Sequence, residues 1–87
     1  LDKDRIYRDL GRLVKEIDLL PLEEAERRRL HGIVGDLEEH VEEPSEPRRR
    51  EELVDTVDEL ISRFETDHPA VTGVLRRVLN ALGSMGV

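Results

Sequence analysis

The chain has 87 residues, a formal charge of −7 and no cysteine, and it contains 27 Leu, Ile, Val and Phe residues. It is one domain with enough apolar side chains to fold, though a chain this short buries only about 60 to 65% of its unfolded surface. The lack of cysteine removes disulfides and thiolate metal sites, the negative charge disfavours a general grip on nucleic acid, and no apolar run approaches the roughly 20 residues of a membrane span. A cytoplasmic protein without a signal-peptide pattern is expected, with basic proteins as the better-matched partners.

The first element is an amphipathic helix over about residues 2–19. Its apolar positions Ile6, Leu10, Leu13, Ile17 and Leu20 alternate steps of four and three, and Val14 widens the stripe. Pro21 restricts Leu20 and ends the run. A second helix over about 23–43 starts with Glu23, Glu24 and Glu26, which suit the positive end of the helix dipole. Leu30, Ile33, Val34, Leu37 and Val41 form its stripe. Pro44-Ser45-Glu46-Pro47 reverses the chain.

The third helix, about 48–65, carries Leu53, Val54, Val57, Leu60, Ile61 and Phe64, with Glu59 spaced to pair with Arg63. Thr66-Asp67-His68-Pro69 forms a corner in which Pro69 suits the first helical position and Asp67 or His68 suits the cap. The fourth helix, about 69–83, has Val71, Val74, Leu75, Val78, Leu79 and Leu82, with Gly83 placed for a left-handed cap. The expected fold is all-α: four amphipathic helices in an up-down bundle or two stacked hairpins, with coiled-coil-like packing. Helices one and two are expected to outrun helix four. That mismatch would uncover apolar surface and favour a homodimer.

Reactive constellations are sparse. His31 and His40 are nine residues apart, and only Glu65-Thr66-Asp67-His68 has the spacing of a di-metal bundle motif, at a helix end. The serines have no evident base, and Gly32 and Gly35 do not form a phosphate loop. No catalytic, metal or cofactor residue is assigned. Arg27-Arg28-Arg29 and Arg48-Arg49-Arg50 stand near helix N-termini and are expected to pair locally, Glu23 with Arg27, Glu24 with Arg28 and Arg48 with Glu52. The heads of Arg27 and Arg50 also have the reach to bridge to a neighbouring helix. If the triplets met on one face, the chain would instead suit a nucleic acid or an anionic ligand. The primary expectation is a non-catalytic interaction, adaptor or structural module.

Candidate interaction positions collect in the last quarter: Phe64, His68, Pro69, Leu82, Met85 and Val87. Either Phe64 plugs the core with Met85 and Val87 folded over it, or Leu82, Met85 and Val87 form an exposed apolar knob. Arg63-Phe64-Glu65, His68-Pro69, Gly73-x-Leu75-Arg76 and the ending Leu82-Gly83-Ser84-Met85-Gly86-Val87 together resemble an uncharacterised family of short bacterial proteins. That family has an Arg-Phe-Glu/His-Pro corner and ends in Leu-x-Asn-Met-Gly-Ile. Ser84 and Val87 stand where the pattern has Asn and Ile, and the second helix lacks its Ser cap. The resemblance implies the helical fold and no particular activity.

Overall fold

A computed structural model describes residues 2–43 and 46–85, with the side chains of Asp2, Ser84 and Met85 left out of the description. It contains α1 (Asp2–Leu19), α2 (Glu24–Glu42), α3 (Pro47–Phe64) and α4 (Pro69–Met85). All four helices arise where the apolar stripes predict them. Five boundaries differ from expectation by one or two residues, two of them for clear local reasons. Pro47 belongs to α3, since Pro at the first helical position loses only an N–H that has no intrahelical partner there. Helix α4 continues through Gly83, which is not a left-handed cap, because no glycine among the described residues has positive φ. The Pro44-Ser45 turn lies outside the described residues.

Polar contacts fix an up-down-up-down order. The start of α1 meets the end of α2, where Tyr7 hydrogen-bonds Glu42. The end of α1 meets the start of α2, where His31 Nε2 lies 2.8 Å from Asp18 Oδ1. Arg49 near the start of α3 reaches Asp36 at 3.6 Å, and Arg63 near its end pairs with Glu26. Asp9 of α1 meets Arg77 of α4 at 3.4 Å. The helices form a ring in which α1 and α3 are diagonal, and the α2–α3 seam is the sparsest.

The core takes the predicted stripes almost intact. Leu10, Leu13, Leu30, Leu37, Val41, Val57, Val74, Leu75, Val78 and Leu82 are fully enclosed. The helices have 18, 19, 18 and 17 residues, so the length mismatch invoked for a dimer is at most two residues. Among the described residues the large apolar side chain left exposed is Leu19, and no helix is long and apolar enough to cross a membrane.

Gly11 and Gly73 sit on exposed helical faces, where an added Cβ would meet nothing within 4 Å. Neither has the backbone geometry that requires glycine. Each therefore costs backbone entropy without a packing return. Gly11→Ala and Gly73→Ala are each expected to raise the unfolding free energy by about 0.5–1 kcal/mol, read from the urea midpoint at unchanged m-value.

Candidate functional site

Three of the six residues singled out in the last quarter, Phe64, His68 and Pro69, form an architectural corner. Phe64, at the end of α3, is buried and meets the half-buried His68 edge-on at 5.8 Å between ring centroids. The Arg63 guanidinium carbon lies 5.4 Å from the Phe64 centroid. The His68 N–H donates to Phe64 O at 2.8 Å, which closes the turn. Pro69 then opens α4, while His68 O accepts both the N–H and the hydroxyl of Thr72 at 3.1 Å. Glu65 and Arg76 brace the corner from outside at 3.3 Å. The part of the apolar-knob expectation that involved Leu82 is corrected: this side chain is 1% exposed, because α4 turns it toward the core with Val78 and Leu75. The Met85 side chain and Val87 lie outside the described residues.

Phe64 also borders a small gap between the helices, lined by Leu13, Leu30, Leu60 and Leu75 among others, with about 10 Å³ of room and no polar lining. A space that small and apolar does not hold an ordered water.

The sequence reading missed two buried polar residues, His40 and Thr72. For His40 the available signal was its place seven residues after Ile33, on the edge of the stripe toward α3. Burial and the positive charges of Arg50 and Arg49 push its pKa below the usual 6.5. The folded state thus favours neutral imidazole, while the unfolded chain takes up a proton near pH 6.5. The stabilisation is complete above about pH 6.5 and is lost as pH falls from there through the lower folded value. Thermal melts of the native chain are expected to drop between pH 7 and about 5.5 more steeply than those of His40→Gln. Equal slopes would contradict this assignment.

Tyr7 is held in the opposite sense. Burial, the hydrogen bond to Glu42 and the negative charges of Glu42 and Glu38 raise its pKa above 10.0. The phenol therefore stays protonated as a donor tying α1 to α2.

The arginine triplets separate. Arg63, about 21 Å along α3 from Arg49 at 1.5 Å per residue, is the residue that meets Glu26 beside the first triplet. The triplets consequently sit toward opposite ends of the bundle. Arg48 makes its expected approach to Glu52 at 4.0 Å, but Arg63 pairs with Glu26 instead of Glu59. Arg27 leaves Glu23 and turns to α1. Its Nη1 donates to Ile17 O at 2.8 Å and its Nη2 to Leu20 O at 2.9 Å, with Leu22 O at 3.4 Å and the Asp18 carboxylate at 3.9 Å. These carbonyls belong to the end of α1 and the turn after it; Ile17 O also accepts the Leu20 N–H and Leu20 O the Leu22 N–H, so Arg27 takes their second lone pairs. A bridge from Arg27 to a neighbouring helix is thus present, although its acceptors are backbone oxygens. Among the described residues no group of three or more His, Cys, Asp or Glu side chains is placed to hold a metal ion.

The outer faces carry the remaining chemistry. Helices α1 and α4 together hold seven basic and five acidic residues, a formal +2, whereas α2 and α3 hold seven and eleven, a formal −4, and the connections carry five further acidic residues. Because α1 neighbours α4 and α2 neighbours α3, the two halves of the bundle differ sharply in charge.

No curated protein and no solved structure matches the chain. A family described as a domain of unknown function (DUF4404) matches residues 6–87, the stretch that holds nearly all of the four-helix bundle and the whole Phe64–Pro69 corner, and the chain belongs to that family.

Proposed function

We propose that this chain is a small, non-catalytic interaction module that works by self-association, with the dimer as its smallest assembly. The observation carrying this reading is the division of charge between the two halves of the bundle, a formal +2 on α1 and α4 against −4 on α2 and α3. Such a division creates complementary surfaces on a molecule whose apolar side chains are already committed to its own core. The acidic half also suits a basic protein partner. A cytoplasmic setting belongs to the same proposal and is supported by the cysteine-free composition, while a bacterial origin rests on the family resemblance alone.

The test is the mass in solution by light scattering or sedimentation across the micromolar range at physiological salt. A mass that rises above the monomer with concentration is expected. A constant monomer mass overturns the reading. Binding through the arginine triplets to an anionic ligand has no comparable support, since the triplets sit toward opposite ends of the bundle.

A further inference from the structure

The back of α1 carries a second stripe as regular as its core stripe. Arg5, Arg8, Arg12, Lys15 and Leu19 follow one another by three, four, three and four residues, and all are exposed. Leu19, at 80% exposure, ends the stripe with an apolar side chain. Among the described residues the four basic side chains make no ion pair or hydrogen bond, although the chain holds 21 acidic residues. The back of α3 carries the converse. Glu51, Asp55, Asp58 and Glu59 are exposed and likewise have no ion-pair partner among the described residues. The two stripes are similar in length, about 15 Å from Arg5 to Lys15 and about 12 Å from Glu51 to Glu59.

We infer that the α1 stripe of one copy docks on the α3 stripe of another. This rests on the self-association reading and specifies its interface. Within a single chain the stripes cannot meet, because α1 and α3 are diagonal and their outer faces point apart. For the same reason one pair of molecules cannot make both contacts at once. The contact is therefore heterologous, and successive copies join head to tail instead of closing as a symmetric pair. Charge explains both the specificity and the weakness of the contact. Each copy has a net charge of −7, and that repulsion is screened beyond about 8 Å at physiological salt, while pairs in contact keep their attraction. Leu19 adds apolar burial at one end of the contact.

The test uses the intact chain and two double variants, Arg8→Gln/Arg12→Gln and Asp55→Asn/Glu59→Gln, each first checked for native helicity and melting. In sedimentation velocity the native chain is expected to form a concentration-dependent series extending past the dimer, dispersed by about 0.5 M salt, where the Debye length is only a few Å. Each variant alone is expected to associate about tenfold more weakly, the effect of losing two contacts of roughly 0.7 kcal/mol each. Mixed together, the variants should give a 1:1 complex that does not grow, because each retains the face the other lacks.

A native chain that associates with no response to either variant overturns this interface while leaving the self-association reading intact. A native chain that stays monomeric overturns both. Growth of the mixture beyond 1:1, or no complex in it, also overturns the head-to-tail contact. Should a double variant lose its fold, the single variants Arg12→Gln and Asp55→Asn replace it in the same mixture, with the same outcomes decisive.

Discussion

Replacing Phe64 with Ala is expected to lower the unfolding free energy by about 4 kcal/mol, within the usual range for truncating a buried aromatic. Two features of the site place it toward the upper part of that range. Phe64 already borders an apolar gap of about 10 Å³, so truncation enlarges an existing void. The edge-on contact with His68 at the α3–α4 corner disappears as well. For a domain of this size the melting temperature should fall by on the order of 20 °C. Phe64→Leu keeps most of the volume and should cost under about 1.5 kcal/mol. A loss in Phe64→Ala no larger than in Phe64→Leu would mean that the corner collapses around the deletion and that Phe64 does not plug the bundle.

The second large effect concerns Arg27. Arg27→Ala is expected to cost about 2 kcal/mol, since a charged donor on backbone carbonyls contributes about 1.5–3 kcal/mol and water can replace part of it at this site. The side chain is only 22% exposed. Arg27→Lys separates charge from geometry. An ammonium keeps the attraction to the negative end of α1 but cannot span Ile17 O and Leu20 O as the planar fork does. It should recover roughly half of the loss. Hydrogen exchange offers an independent check, because amides around residues 18–24 should exchange faster in Arg27→Ala while those in α3 slow or hasten only with global stability. Full recovery by Lys would assign the effect to charge alone.

The two residues differ in how far the sequence disclosed them. Phe64 was legible because it completes a 4-3 apolar stripe and stands before a His-Pro corner, both of which are local patterns. Arg27 was legible only as a long side chain beside the seam. Its acceptors lie ten and seven residues upstream, beyond a proline turn, and local i,i+4 spacing pointed to Glu23 instead. The same limitation explains Arg63, which spacing paired with Glu59 and the fold pairs with Glu26. Helical periodicity identifies neighbours on one helix and says nothing about which charged residue faces it from the next.

His40 and the basic stripe of α1 extend this point toward function. A histidine between Glu39 and Val41 in sequence becomes buried because α2 rotates it toward the start of α3, and its pKa falls through that burial and, after it, the charges of Arg50 and Arg49. Arg5, Arg8, Arg12 and Lys15 are evenly spaced in the sequence, but nothing there shows that α1 and the acidic α3 stand diagonally. That relation makes the two stripes unable to meet inside one molecule and available to a second.

The sequence by itself determined four helices, their limits to within two residues and nearly all of the aliphatic core, because each depends on periodicity and on proline at helix boundaries. Tertiary structure alone decided which charges pair, that Leu82 is enclosed, that the arginine triplets part, and that the bundle has a basic and an acidic half. Those outcomes follow from the order of helices around the ring, a long-range arrangement that depends on the packing of all four faces together.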